Sequence, residues 1–413
     1  MTSRQRVLAA LEHRQPDRVP IDFSGHRSSG IAALAYAKLR RFLHLENKPL
    51  RIYDLVQQLA IVDEDVLELF DVDTVEMGRG FLLRDSDWKD WVLPDGTPCQ
   101  VPFYIHMERR GDDWFITDGK GLDLGVQRKG CLYFEQTTFP SLEKGITGDL
   151  FEDLEERVAQ TVWGGVPSPG AHLDLDAPGL VELRKGAQAL RESTDRAILG
   201  LFGGNMFELP QWLYRMDNYF SFLKLFPDDV VRLSESLCSM HLGNLEKWLR
   251  AVGDFIDVIV FGDDLGGQER LLISPEMYRT FIKPYHKKLW MRAKELSPAK
   301  VMLHCCGDVS DIFPDLIEAG LDAINPVQIS CPGMNPHKIK ERYGKEITFW
   351  GGGCDTRYML PSAVPAEVKR HVKQQISIWQ KEGGFVFQQV HNILADVPPG
   401  NVAAMFEAVR KWK

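Results

Sequence analysis

The chain has 413 residues, of which 44% are hydrophobic and 26% charged, and a formal net charge of −9. This composition belongs to a folded globular protein and excludes a disordered one. The acidic balance, without any basic run, argues against a nucleic-acid partner, and no apolar stretch approaches the length of a membrane span.

The chain opens with a predicted amphipathic helix capped by Thr2 or Ser3, without the apolar core of a secretory leader. Seven cysteines, an odd number, together with no export signal favour a reducing, cytoplasmic setting. Strand-like apolar runs follow at 18–23, 72–77, 197–202, 257–261, 301–304, 322–325, 347–350 and 385–388. Amphipathic segments such as 228–252 and 275–296 lie between the later ones. Strands alternating with helices imply a parallel sheet, and eight of them predict a closed (β/α)8 TIM barrel of the α/β class. No dinucleotide-type glycine fingerprint follows the first strand, which disfavours an open Rossmann-like sheet. Residues of about 80–140 break the rhythm with turn signals and Trp88, Trp91 and Trp114, and are predicted to form an inserted β-meander. The whole of 1–413 is expected to be one barrel domain carrying that insertion.

In a barrel the chemistry gathers at the C-terminal ends of the strands, and polar residues do collect there. Asn205 follows one strand and Asp263 and Asp264 the next; His304 and Cys306, then Cys354, then His391 and Asn392 follow later ones. His304 and Cys306 are two residues apart at a strand end, so both project to one face while Cys305 turns away. An imidazole and a thiolate so placed are half of a zinc site, and Cys354 on a glycine-rich turn would be the third ligand. Three ligands of mixed N and S character leave one position open, the pattern of catalytic rather than structural zinc. Other readings stand beside this one. His304 and Cys306 alone fit a buried core pair, Asp263 and Asp264 fit a helix cap, and His391 fits a bond to a backbone carbonyl. The insertion tryptophans fit a core role.

These residues resemble the uroporphyrinogen decarboxylase superfamily, and within it the zinc- and corrinoid-dependent methyltransferases. The resemblance rests on Arg6-Val7-Leu8-Ala9-Ala10-Leu11 with Pro16-Asp17-Arg18-Val19-Pro20, on Phe261-Gly262-Asp263-Asp264-Leu265-Gly266, and on Val390-His391-Asn392-Ile393. It implies zinc on His304, Cys306 and Cys354; Asp264, His391 and Asn205 are the candidates beside it for catalysis, to orient substrate or to hydrogen-bond the ligands. It further implies a corrinoid (cobalamin) carried by a separate protein, since the chain has no Asp-x-His-x-x-Gly run. The decarboxylases hold substrate carboxylates with an arginine-rich motif after the first strand. Here that stretch, Ser24-Gly25-His26-Arg27-Ser28-Ser29-Gly30, retains one arginine.

The expected activity is transfer of a methyl group between a small molecule, foremost a methoxylated aromatic undergoing O-demethylation, and the corrinoid's cobalt. The alternatives are methyl transfer to a thiol, a metal-free decarboxylase, and a non-catalytic corrinoid- or metal-binding accessory protein. Association as a homodimer stays open.

Overall fold

The computed structural model describes residues 1–412. Seven parallel strands form one curled sheet: β1 (Thr74–Glu76), β2 (Ala197–Gly203), β3 (Val258–Gly262), β4 (Lys300–His304), β5 (Ala323–Asn325), β6 (Thr348–Trp350) and β7 (Phe385–Val386), in sequential order across the sheet. Residues 20–22 close it. Ile21 pairs in parallel with Phe387, the Asp22 amide donates to the Phe387 carbonyl (2.8 Å), and the Asp73 amide donates to the Ile21 carbonyl (2.8 Å). The eighth position of the barrel is thus a single bridge rather than a full strand, because Pro20 contributes no N–H to a ladder.

The first helix, α1 (Ser3–Leu11), is capped as the sequence suggests: the Gln5 amide donates to Thr2 Oγ1 (3.2 Å) and the Thr2 amide to Gln5 Oε1 (3.0 Å). Val7, Ala10 and Leu11 pack with Leu199, Val258, Met302, Trp350 and Val386 into a separate apolar cluster that fills the barrel interior. Arg6 ties α1 to the strands, donating to Asp73 (2.6 Å) and Asp17 (2.7 Å). The helix predicted over 275–296 is two, α2 (Pro275–Phe281) and α3 (Lys283–Leu296). Pro284 cannot donate an i→i−4 bond and its ring crowds the carbonyl four residues earlier, so the helix breaks at Ile282.

Between β1 and the helix Ala177–Ser193 lies β-rich structure. A hairpin pairs Trp88–Val92 with Pro98–Pro102, and a four-stranded antiparallel sheet runs through His106–Arg110, Asp113–Thr117, Asp123–Gln127 and Glu135–Gln136. Trp91 meets Trp114 edge to face (5.9 Å between centroids) and both join the hydrophobic core. A short antiparallel pair, Ile52–Asp54 with Leu59–Ala60, has no counterpart in the sequence reading.

Candidate metal centre and cavity

His304 ends β4, and Cys306 lies two residues on, before Gly307. At Gly307 (φ 83°) an added Cβ would stand 2.3 Å from the Gly266 carbonyl carbon, so the loops after β3 and β4 meet backbone to backbone. That approach brings Asp264 against Cys306, whose amide donates to Asp264 Oδ1 at 2.7 Å. Cys305 faces the other way, its Sγ accepting from the Leu265 amide (3.2 Å), as strand alternation requires.

His304 Nε2 lies 3.5 Å from Cys306 Sγ. Ligand atoms about 2.05 and 2.3 Å from a tetrahedral zinc ion stand roughly 3.5 Å apart, so this pair has the edge length of such a site. His391, on the loop after β7 with φ 63°, completes a group: one ligand atom each of His304, Cys306 and His391 lie within 4.8 Å of one another. The two imidazole rings are 5.4 Å apart. The donor set, two imidazoles and a thiol, suits a borderline-soft divalent ion.

Cys354, the third ligand expected from the sequence, lies outside that group of three. The backbone of Cys354 pairs with Gln389, two residues before His391, so it does stand at the same rim. The glycine turn 351–353 tucks its side chain into the hydrophobic core, fully buried, with Sγ 3.9 Å from the Asp355 carbonyl. His391 Nδ1 meets a side chain rather than the backbone carbonyl expected of it, Asn392 Oδ1 at 2.8 Å.

The remaining predicted residues divide in two. Asp263 is structural: fully buried, it accepts from the amides of Met206, Phe207 and Glu208 (2.8–2.9 Å) and lies 2.8 Å from His286 Nε2, fixing the start of the helix Glu208–Tyr214. Asp264 lies 3.8 Å from His304 Nε2 and lines the cavity. Asn205 also lines it and donates to Glu208 Oε2 (2.8 Å).

The cavity, about 430 Å³, runs from His304, His391, Asp264 and His26 to a wall of Phe202, Phe261, Trp163 and Trp212. The two tryptophan rings are 6.1 Å apart. Neither comes from the tryptophan-bearing meander; Trp163 sits in the helix Val162–Gly165 and Trp212 in Glu208–Tyr214. Glu208, in the strand-end segment with Asn205 but not singled out from the sequence, also lines the cavity. Burial, then the charges of Asp264 and Asp263, push its carboxyl well above the usual range, whereas burial pulls His304 down and His391 to about 4. Burial and Asp264 push the Cys306 thiol up. A divalent cation reverses that logic for a coordinating thiol.

The family model described as Uroporphyrinogen decarboxylase (URO-D) matches residues 176–412, more than half of the chain. A methylated-thiol–coenzyme M methyltransferase of Methanosarcina mazei is 30% identical over 105 residues, 25% of this chain and 26% of that protein. A uroporphyrinogen decarboxylase of Pelobacter propionicus is 24% identical over 231 residues, 54% of this chain and 62% of that one. These matches therefore span about a quarter and about three-fifths of the two relatives. Among solved structures, a methyltransferase from Methanosarcina mazei superposes with a TM-score of 0.59 at 17% identity, covering 100% of this chain and 99% of that one; at that identity the likeness shows the shared barrel fold. Among the described residues no helix is long and apolar enough to cross a membrane.

Proposed function

Because the chain belongs to the uroporphyrinogen decarboxylase family, we propose that it is a zinc-dependent methyltransferase of that family. It would move a methyl group between a methoxylated aromatic compound and the cobalt of a corrinoid held by a separate protein. The observation that carries this reading is the 3.5 Å contact of Cys306 with His304, a histidine that itself lines an aromatic-walled cavity. The methylated-thiol methyltransferase among the relatives supports the methyl-transfer class.

In this reading His304, Cys306 and Cys354 hold the zinc, with His391 beside them. Bound there, zinc supplies Lewis acidity toward the ether oxygen or thiol of the substrate. The chain's own residues do the rest. Phe202, Trp163 and Trp212 take the apolar body of the substrate out of water and orient it. Asp264 holds the Cys306 backbone in place. Glu208, whose carboxyl burial and the charges of Asp264 and Asp263 push well above its usual range, lines the cavity and would donate a proton to an oxygen leaving group.

The test is a screen of methoxylated benzoates, methylated thiols and methylamines with a reduced corrinoid, reading the absorbance change on cobalt methylation. Methylation from an aromatic ether, abolished by chelation, is the expected result. Methylation from thiols alone would move the activity to the thiol class named for the relative. Turnover without metal, lost in Arg27→Ala, would instead establish the decarboxylase reading. Zinc or corrinoid-protein binding without turnover would leave an accessory role.

A further inference from the structure

The two histidines at the centre each meet an asparagine side chain, and the surrounding hydrogen bonds fix which way each amide points. Asn325 Nδ2 donates to the Trp350 carbonyl (2.9 Å), which only accepts, and to Gln388 Oε1 (2.7 Å). The oxygen of Asn325 therefore faces His304 Nδ1, at 2.8 Å. An amide oxygen cannot donate, so His304 Nδ1 carries the proton and Nε2 the lone pair.

The second case is reached through a longer chain. Gln57 Nε2 donates to the carboxylate of Asp54 (3.1 Å), which leaves Gln57 Oε1 to accept from Asn392 Nδ2 (3.0 Å). That turns Asn392 Oδ1 toward His391 Nδ1, at 2.8 Å. The same exclusion applies: Nδ1 is protonated and Nε2 carries the free lone pair. Two unrelated hydrogen-bond chains, one anchored on a backbone carbonyl and one on a buried carboxylate, thus converge on the same tautomer.

We propose that Asn325 and Asn392 are positioning residues that hold His304 and His391 as their Nδ1–H tautomers, making His391 a fourth arm for the cation beside His304, Cys306 and Cys354, one that an incoming substrate would displace. The inference rests on the zinc reading above only in its last clause. A histidine ligand whose far nitrogen is fixed by an outer hydrogen bond binds metal more tightly, and losing that bond costs typically about 10–100-fold in affinity.

The experiment has two readouts. Nitrogen-15 NMR of metal-free wild-type protein labelled at histidine should show both rings protonated at Nδ1 and bare at Nε2. Chelator competition for zinc should then show Asn392→Leu and His391→Ala each weakened about 10–100-fold, with Asn392→Asp, which keeps an acceptor, restored to near wild type. An Nε2–H tautomer at either ring, or unchanged affinity in Asn392→Leu, overturns the proposal. The wild-type spectrum needs no variant, so a poorly folding Asn325 substitution does not enter. A wild-type protein that binds no zinc would overturn the zinc reading and the fourth arm with it; the spectrum then decides the tautomers.

Discussion

Asp264 accepts the backbone N–H of Cys306 at 2.7 Å, joining the loop after β3 to the loop that carries the thiol. The bond orients a ligand without using its side chain. Asp264→Ala should therefore weaken zinc binding about 10-fold or more, with Asp264→Asn falling between it and wild type because the amide keeps an acceptor oxygen. Chelator competition on the two variants checks the order, and equal affinities would remove Asp264 from the support of the site.

Zinc content separates the ligand roles. Cys306→Ser is expected to lose bound zinc almost entirely and Cys354→Ser to lose most of it, with His391→Ala retaining more than either. Elemental analysis of the three purified proteins reads this directly. Full zinc in Cys354→Ser together with none in His391→Ala would make the group seen around His304 the complete ligand set.

Trp212→Ala should act on substrate rather than metal. An aromatic contact contributes about 0.5–1.5 kcal/mol beyond its area, so KM for a methoxylated aromatic should rise at least about threefold while zinc content stays at wild type. An unchanged KM would place the substrate away from the Trp163–Trp212 wall.

Asp263→Ala should damage the fold. Two buried amides and a half-buried one lose their acceptor, and each unsatisfied buried group costs about 1–3 kcal/mol, so a loss of at least about 2 kcal/mol is expected in urea unfolding. Stability within about 1 kcal/mol of wild type would contradict the capping role given to Asp263.

Glu76 gives a stability that depends on pH. Burial pushes its carboxyl from 4.5 up to about 7, so the folded protein keeps this proton where the unfolded chain has released it. Its contribution is complete below pH 4.5 and declines as pH rises to about 7, by about 3 kcal/mol in all. Relative to Glu76→Gln, wild type should lose that much between the two limits in denaturant titrations. Parallel curves for the two proteins would show that Glu76 ionises normally.

The barrel was legible because its strands are short apolar runs bounded by helices, and the rim residues because each lies just past such a run. His304 and Cys306 were readable as a pair since strand alternation is a local rule. The placing of His391 beside them was not: how Cys354 and His391 turn depends on the glycine turn at 351–353 and the left-handed backbone at His391, both set by packing across strands. Glu208 lies just past such a run too, but nothing local marked its perturbed carboxyl, which comes from burial and from Asp264 and Asp263, more than fifty residues away in sequence. The meander's Trp91 and Trp114 take the core role their pattern allowed, and the cavity wall is built by Trp163 and Trp212, which carry no motif that marks them in the sequence.

The N-terminal helix α1 seals the barrel from below, with Val7, Ala10 and Leu11 packed among the inward-facing strand residues. Passage along the barrel axis is therefore shut, and whatever reaches His304 arrives from the rim. Under the proposed reaction a methylated compound and a bulky corrinoid protein would share that one approach. The small molecule would have to be seated first, and steady-state kinetics would then follow a compulsory order of addition.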